Sequence, residues 1–528
     1  MRKTFNYALL ALAAVALLHS CRLESDEVSS SYGVSANEVL SETYTEKWDV
    51  LWKGFNQNYV AWEIETVDWD EVNAKYRPLL EKLDERVKSL SDNNTDSAKI
   101  ISEEAAEIFH AAYDTLHDGH TLIKYKDYAV PTTAYGIKNY IYVQPQFQRV
   151  SKRPDYNDYP RWGKSYYVES NQVEQDSVKW IGMADIVCRD LMALVPQLQD
   201  DLTAIDSLET TSNESSIYKT QLKNLISVIK YIQREYEEYP YNAIFYVQSY
   251  LQMYDRGAFY RVNQKYGLPY IFGIDSSNEP MIQTFVTNDN IVYIRLNTFI
   301  LPWNLSYFAL PAQYDTLIEQ KFKNFHAQWY NTVQQMHKEQ RLKGVIVDLR
   351  SNMGGETENA QYIAGSLLGN EDVACGTRKK KNGLGRLDYG MPTLCYVSHY
   401  NDNAEKITEP IVVLANAMTA SCGEINVAAL KQQDNCTLVG KATYGAANTL
   451  CDNANFDSMV GYAGQIGSEA GNFYAYIPFC LDSFYGLGVI EGTGIMPDID
   501  IRYDADLFNS TGCDTQLNAA LECIRNGK

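Results

Sequence analysis

Between residues 290 and 440 the sequence alternates short apolar runs with longer amphipathic stretches, and this alternation most constrains the fold. The runs at 344–350 and 411–417 have the length and β-branched content of strands buried on both faces. The stretch at 317–340, which precedes them, has apolar residues at helical spacing. Strands that alternate with helices predict a mostly parallel sheet with helical crossovers, so we expect an α/β core over residues 271–528.

The first half of the chain has a different character. Residues 39–125 contain three stretches with helical patterning, which predicts an N-terminal helical domain. Residues 121–180 alternate apolar and polar positions as short strands do, and residues 185–255 return to a helical pattern. We therefore expect a mixed α+β region over residues 126–270, between the helical domain and the core.

The N-terminus has the pattern of an export signal. Arg2 and Lys3 precede a short apolar stretch that ends at Leu18-His19-Ser20-Cys21, which resembles a bacterial lipoprotein box. Residues 1–21 are thus predicted to be a lipoprotein signal peptide, with lipid on Cys21 as the membrane anchor and residues 22–38 as a flexible tether. We expect an exported protein anchored in the bacterial cell envelope, on the periplasmic or surface face of an outer membrane. Ordinary secretion is the alternative.

Charge and cysteine usage limit the partners and the chemistry. The formal net charge of −21 disfavours nucleic acid and anionic membrane surfaces as partners. Nine of the ten cysteines follow Cys21 without a CxxC pair, so a zinc ribbon is not expected and no cofactor is predicted. An exported location permits disulfides. Cys375 with Cys395 and Cys513 with Cys523 are candidate pairs, but the sequence does not settle the pairing.

Ser421 is a candidate nucleophile because it follows the predicted strand at 411–417 and opens a predicted helix. Backbone N–H groups at a helix start can stabilise an oxyanion, and the amide of Cys422 is one of them. In parallel sheets, sites form beyond the carboxyl ends of the strands, where Ser421 lies. The alternative is that Ser421 and Glu424 form a simple capping box.

A glycine pair follows the neighbouring predicted strand at 344–350. Gly354 and Gly355 carry no side chains, so their amides can approach a substrate closely and join Cys422 in an oxyanion hole. An ordinary strand-to-helix turn fits the same residues.

A serine nucleophile needs a base, and His120 is the candidate. His117 and His120 stand together in a polar turn, whereas His110, His326 and His337 lie in amphipathic stretches and are expected at a surface or interface. His117 and His120 also fit a zinc site, which is an open alternative.

The base in turn needs an orienting acid. Glu491 is a candidate, since it lies in a turn between two extended runs near the end of the predicted core. A solvated loop acid fits the same position.

Four motifs in order, DLRSNMGG, NAMTASCGE, VGKATYG and EGTGIMPDI, resemble those of the C-terminal processing and tricorn-core serine peptidases. HDGHT resembles another segment of that family. The resemblance covers residues 270–503 well and 40–125 more weakly. It implies a crotonase/ClpP-like α/β protease core that hydrolyses peptide bonds in peptide or protein substrates, including protein C-terminal segments.

Members of this family use either a Ser–Lys dyad or a Ser–His relay. The dyad lysine would stand at Ala446, and Lys441 lies five residues too early, so the resemblance favours the relay. The relay template assigns Ser421 as nucleophile, His120 as base and Glu491 as orienting acid.

Gly119 replaces the serine that tricorn-type members carry before the histidine, so Thr121 or water would supply the relay hydroxyl.

The family often carries a PDZ-like module at the position of residues 126–270. A clear carboxylate-binding loop is lacking there, which predicts a diverged or replaced insertion. A non-catalytic peptide- or ligand-binding lipoprotein on the same fold is the main alternative.

Overall fold

A computed structural model of the chain describes most of the helical and core regions. The described residues are 42–91, 94–132, 139–156, 270–274, 280–299, 315–383, 385–449, 465–467, 473–478, 480–511, 513–527 and scattered positions between 196 and 230. The predicted signal peptide, Cys21, the tether and most of the 126–270 region lie outside the described residues.

Helices and strands follow one another as the sequence predicts in the core. The helices are α1 (Tyr44–Asn58), α2 (Trp69–Lys88), α3 (Thr95–Tyr113), α4 (Pro145–Ser151), α5 (Asp315–Lys338), α6 (Ala364–Leu367), α7 (Cys422–Leu430), α8 (Ala505–Thr511) and α9 (Thr515–Arg525). The strands are β1 (Leu122–Lys126), β2 (Tyr140–Val143), β3 (Tyr270–Ile274), β4 (Pro280–Val286), β5 (Ile291–Leu296), β6 (Gly344–Asp348), β7 (Val373–Lys380), β8 (Thr393–Val397), β9 (Ile411–Ala415), β10 (Cys436–Gly440), β11 (Gln465–Gly467), β12 (Phe473–Tyr476), β13 (Cys480–Phe484) and β14 (Ile499–Asp500).

The main sheet has the order β14-β10-β9-β6-β5-β4-β3. Neighbours from β14 to β5 pair in parallel, whereas β4 pairs antiparallel with both β5 and β3. The sheet is therefore mixed, and the expectation of a mostly parallel sheet holds for its central part. A hairpin explains the antiparallel end, since β4 and β5 are joined by a turn that contains Asn290 at a φ of 67°. The crotonase/ClpP-like form of the core stays a prediction.

Helices cover both faces of this sheet, which is why its central strands are apolar throughout. Val345 and Val347 of β6 pack in one cluster with Trp329 of α5, while Ile346 faces the opposite way and packs against Leu521 of α9. Alternation along the strand places successive side chains on opposite faces. The two clusters hold β6 and β9 at the centre of the core and fix the strand ends that carry the loops of the site.

The N-terminal helical region is confirmed and has an aromatic core of its own. Phe55 of α1 lies 4.9 Å from Tyr113 of α3 between ring centroids, and Trp69 of α2 lies 5.4 Å from the same ring. Aromatic pairs at such spacing add to the stabilisation from burial. The region is tied to the C-terminal half because β1 pairs antiparallel with β12.

Three features of the fold differ from the sequence pattern. The segment at 357–369 has the composition of a single helix, but it forms a 3₁₀ turn (Thr357–Tyr362) followed by α6, with a break at Ile363. A separate sheet with the order β13-β7-β8, and the short helix α4, had no clear signal. Within the described ranges, no helix is both long enough and apolar enough to cross a bilayer.

Candidate active site

Ser421 stands between β9 and α7 in a backbone conformation that side chains rarely adopt. Its φ of 52° and ψ of −123° lie in a region that costs free energy for a residue with a Cβ atom. The surrounding structure holds this conformation, since the Ser421 N–H donates to Ala446 O at 2.8 Å and to Glu424 Oε2 at 3.2 Å. Strain of this kind is typical of functional sites.

The capping box predicted for Ser421 is present as an arrangement, in which the Glu424 carboxylate accepts from the Ser421 amide. The Ser421 oxygen faces the backbone of Glu424 as an acceptor in this box, which leaves the hydroxyl proton uncommitted to the helix start. Capping and a nucleophilic role coexist in one geometry.

The glycine loop faces Ser421, as the sequence predicts. The Ala420 N–H donates to Asn352 O at 2.9 Å, which joins the two loops side by side. A Cβ atom on Gly354 would lie 2.5 Å from the Cβ of Ser421 and 2.8 Å from the amide nitrogen of Cys422. Gly354 also has a φ of 94°. Only glycine fits this position, for reasons of both space and conformation.

The three amides proposed for an oxyanion hole are not equivalent. The Gly354 N–H donates to Asn352 Oδ1 at 2.8 Å, so it is already engaged. The N–H groups of Gly355 and Cys422 have no hydrogen-bond acceptor among the described residues. Two of the three donors are therefore unengaged in the described part of the chain, one on each loop.

Glu424 is fully buried and gathers the loop at 443–446. Its Oε1 accepts from Thr443 Oγ1 at 2.5 Å and from the Gly445 N–H at 2.8 Å, and its Oε2 accepts from the Ala446 N–H at 2.8 Å. Burial raises the pKa of Glu424 to about 7, while these donors act in the opposite direction. The carboxylate thus fixes Ala446, whose carbonyl in turn holds the Ser421 amide.

Glu491 accepts hydrogen bonds from the backbone that follows Ala446, as Glu424 does for the loop at 443–446. Its Oε1 accepts from the N–H groups of Ala447, at 2.7 Å, and Asn448, and its Oε2 accepts from the Gly119 N–H at 2.8 Å. Burial first, and the nearby charge of Asp118 second, raise the pKa of Glu491 well above its usual value. No hydrogen bond joins Glu491 to the His120 imidazole in the described part of the chain. The predicted orienting acid binds main chain instead.

Asp118, which the sequence reasoning did not single out, fixes the backbone around His120. Its Oδ1 accepts from the N–H groups of His120 at 2.9 Å and Thr121 at 2.8 Å, and from Thr121 Oγ1 at 3.1 Å. Its Oδ2 accepts from Asn448 Nδ2 at 3.2 Å. The Thr121 hydroxyl, predicted as the relay group, therefore donates to Asp118. Burial raises the pKa of Asp118 to about 6.

The surroundings of His120 disfavour the protonated form of its imidazole. Burial lowers its pKa to about 4, and its Nδ1 is buried with no hydrogen-bond partner among the described residues. His120 and Ser421 are not hydrogen bonded to each other in this structure. Catalytic hydrogen bonds often form only when substrate binds.

Gly119 brings the histidine segment against the nucleophile loop. A Cβ atom on Gly119 would lie 2.2 Å from Gly445 O and 2.3 Å from the Cβ of Ala446. Ala446 is the residue whose carbonyl accepts from Ser421. The replacement of serine by glycine at 119 thus has a steric reason, because residue 119 packs directly on residue 446.

The other basic side chains considered from the sequence contact groups outside the site. Lys441 pairs with Asp500 at 2.7 Å, in line with its exclusion as a dyad lysine. His117 Nδ1 lies 2.8 Å from Glu65 Oε2, and no group of three potential metal ligands occurs among the described residues. His326 was expected at a surface or interface, but it is fully buried and contacts Tyr362 O at 2.6 Å.

Sequence reasoning missed or undervalued three supporting residues: Asp118, Asn352 and Asn448. Each binds main chain or another polar side chain across a long sequence separation, which no local pattern reveals. One signal was present, since Asp followed by Gly is a frequent turn sequence in which the aspartate accepts from amides two and three residues on.

Comparisons with known proteins agree with the motif order. Residues 290–455 match the family model described as peptidase family S41. The carboxy-terminal-processing protease of Bartonella bacilliformis is 30% identical over 105 residues, 20% of this chain and 22% of that protein. The carboxy-terminal processing protease CtpA of Bacillus subtilis is 34% identical over 103 residues, 20% of each chain. The chain thus spans about a fifth of the length of these curated relatives.

Among solved structures, a putative peptidase from Parabacteroides merdae is 15% identical, with a TM-score of 0.47, and the match covers 92% of this chain and 97% of that chain. The family match contains Ser421, the glycine pair and Ala446, but it excludes His120 and Glu491. The nucleophile half of the site therefore has support from the family match that the base half lacks.

Proposed function

Because residues 290–455 match peptidase family S41, we propose that the chain is a serine peptidase that cleaves peptide bonds with Ser421 as nucleophile. One observation carries the proposal furthest. A strained serine at a strand end faces a bare glycine loop, and the N–H groups of Gly355 and Cys422 are unengaged among the described residues. This arrangement suits acyl transfer, in which an oxyanion develops next to the nucleophile.

The first chemical step is attack of the Ser421 Oγ on the scissile carbonyl carbon. The carbonyl oxygen becomes an oxyanion, which the N–H groups of Gly355 and Cys422 stabilise. Loss of one such donor typically costs a factor of about 10²–10³ in turnover. Gly354 contributes through the close approach that its missing side chain allows.

His120 accepts the proton of the Ser421 hydroxyl and then donates it to the leaving amine. Its low pKa keeps the imidazole neutral near pH 7, as a base must be. The contact of Gly119 with Ala446, and the hydrogen bond from Ser421 to Ala446, place the two segments next to each other. The mechanism requires a hydrogen bond between His120 and Ser421 in the substrate complex.

Glu491 and Asp118 support the base by holding its main chain. Glu491 binds the amide before His120, and Asp118 binds the amides of His120 and Thr121. In this proposal the orienting acid acts on the segment that carries the imidazole, and Thr121 acts through Asp118.

The proposed substrates are peptides or the C-terminal segments of proteins, as the names of the curated relatives suggest. We place the enzyme outside the cytoplasm, anchored through lipid on Cys21 to the cell envelope. The signal-like sequence at residues 1–21 supports this location. Labelling with a radioactive fatty acid in a Cys21→Ala variant and in the unaltered chain tests the anchor directly.

A non-catalytic peptide-binding protein is the second candidate, because His120 and Ser421 are not hydrogen bonded in this structure. Labelling with a fluorophosphonate separates the two, since this probe reacts with activated serines. Stoichiometric modification at Ser421, absent from Ser421→Ala, supports the enzyme. Unmodified Ser421, together with intact peptide binding, supports the binding protein.

A further inference from the structure

Two cysteines lie side by side in the small sheet formed by β13, β7 and β8. Cys375 of β7 is fully buried and Cys395 of β8 is 4% exposed. Their Sγ atoms are 3.8 Å apart, although the residues are 20 positions apart in the chain. The pairing shifts between Ala374 and Gly376, so Cys375 occupies a bulge opposite Cys395.

We propose that Cys375 and Cys395 form a disulfide bond in the mature protein. The bond needs the Sγ atoms to approach from 3.8 Å to about 2.05 Å, and the paired strands β7 and β8 already hold the two residues next to each other. This inference rests on the geometry of the β7–β8 pair and is independent of the proposed peptidase activity.

The chemistry is thiol–disulfide exchange with a disulfide donor, such as a thiol–disulfide oxidoreductase of an exported compartment. The thiolate of one cysteine attacks the donor disulfide and forms a mixed disulfide. The second cysteine then displaces the donor sulfur. Two electrons pass from the cysteine pair to the donor, which leaves as a dithiol and carries the two protons.

The surroundings favour reaction at this pair. The hydrogen bond with Cys375, together with burial, raises the pKa of Cys395 despite the guanidinium of Arg378 3.7 Å from its Sγ, so Cys375 is the cysteine that starts the exchange. A hydrogen bond with Cys395 lowers the pKa of Cys375. By contrast, Cys513 accepts from Asn518 at 2.8 Å and has no sulfur contact in the described part of the chain. The structure therefore distinguishes the two pairs that the sequence left open.

The disulfide would also stabilise the segment at residues 448 and 449, which supports part of the site. Arg378, on the same strand as Cys375, pairs with Asp482 at 2.7 Å and donates to Thr449. The Asp482 N–H donates to the side chain of Asn448, whose amide binds Glu491. A cross-link between β7 and β8 thus stabilises the hairpin that supports residues 448 and 449.

The test is peptide mapping of the full chain after equilibration in a glutathione redox buffer with a catalytic amount of thiol–disulfide oxidoreductase. Free thiols are alkylated under denaturing conditions, before any reduction, and the chain is digested. We expect one linked peptide that contains Cys375 and Cys395, which separates when a reductant is added before alkylation. Alkylation of both residues without reduction, or linkage of either to another cysteine, overturns the proposal.

A thermal measurement provides the second readout. A cross-link over about 20 residues stabilises a chain by about 3 kcal/mol, which raises the melting temperature by roughly 3 °C in a protein of this size. We expect a reductant to lower the Tm of the oxidised chain by about that amount. The double variant Cys375→Ala with Cys395→Ala should show no change with reductant, whereas the control Cys436→Ala should respond like the unaltered chain. Equal responses in the double variant and the unaltered chain contradict the bond.

Discussion

The nucleophile half and the base half of the site are built in different ways. Ser421, the glycine pair and the loop at 443–446 all belong to the core sheet, where they follow the ends of β6, β9 and β10. His120 lies between α3 and β1, in the N-terminal region. It is held near the core by Glu491 and Asn448, which are separated from their partners in this segment by 372 and 330 positions.

This difference shows that neighbouring loops of one sheet position the nucleophile, whereas contacts between distant parts of the chain position the base. The φ of 52° at Ser421 follows from the turn between a strand and a helix, and the facing glycines leave room for it. The imidazole has no side-chain partner of its own within the described residues and depends on carboxylates that hold its main chain. The following predictions perturb the reacting groups, the contact between the two halves and the supporting carboxylates.

The largest effects are expected when either reacting group is removed. Ser421→Ala and His120→Ala should each lower kcat/KM for a peptide substrate by about 10⁴-fold or more, since nucleophile and base act as a unit. Steady-state hydrolysis of a fluorogenic peptide measures the loss. His337→Ala, which removes a partly buried imidazole that contacts Glu409 outside the site, serves as the control and should retain activity. Turnover retained in either site variant would remove that residue from the mechanism.

Gly354→Ala perturbs the nucleophile half by adding a methyl group to the glycine loop, without removing a reacting group. The added methyl group meets the Cβ of Ser421 at 2.5 Å and must adopt a φ of 94°, so we expect a loss of about 10³-fold in kcat/KM and of fluorophosphonate labelling. Gly390→Ala is the matched control, because its nearest neighbours lie at 3.7 Å. Comparable activity in the two variants would mean that the close approach of the loops is unimportant.

Gly119→Ser is the corresponding change on the base half. The family template has a serine here, yet the side chain would collide with Gly445 O and Ala446. We expect a fall in kcat/KM of about 10²-fold, because the collision displaces His120 from the nucleophile. A rise in activity would instead show that serine at 119 completes the relay. The double variant with Ala446→Gly removes the contact with the Ala446 Cβ but leaves Gly445 O at 2.2 Å and the residue 446 Cα at 2.4 Å, so we expect it to recover little of the loss.

The contrast between the halves also explains what the sequence can predict. The strands at 344–348 and 411–415, the helix after Ser421 and the facing glycine loop all follow from local periodicity and from rules for parallel sheets. The antiparallel end of the main sheet and the break at Ile363 do not, since both depend on tertiary packing. Motif order suggested His120 and Glu491, but only the structure shows that Glu491 binds amides.

Glu491→Gln and Asp118→Asn sharpen the comparison, since they keep the shape of the supports and change their hydrogen bonding. Each amide group places a donor where an N–H group now donates, so at least one hydrogen bond is lost in each variant. We expect about a tenfold fall in kcat and a loss of about 1–3 kcal/mol in unfolding free energy. Urea denaturation and steady-state kinetics measure the two quantities. Unchanged kcat with reduced stability would limit both residues to a structural role.

The smallest effect is expected from mild acid. The base form of His120 persists to low pH because burial lowers its pKa from 6.5 to about 4, so kcat/KM should change by less than about twofold between pH 7 and pH 5.5 on its account. An imidazole with the ordinary pKa of 6.5 would lose about tenfold over the same range. The stability that the depressed pKa provides is present above pH 6.5 and is lost as the pH falls through 4.

Two carboxylates titrate within this window and need their own controls. The pKa values of Asp118 and Glu424 are raised to about 6 and about 7, so their stability contributions are complete below their ordinary pKa values and are lost as the pH rises through 6 and 7. If a pH-dependent change in kcat/KM disappears in Asp118→Asn or in Glu424→Gln, that change reports the titration of the substituted carboxyl group. A limb near pH 6.5 that persists in both variants would assign an ordinary pKa to His120. In that case the burial of its segment by tertiary contacts would not set the protonation of the base.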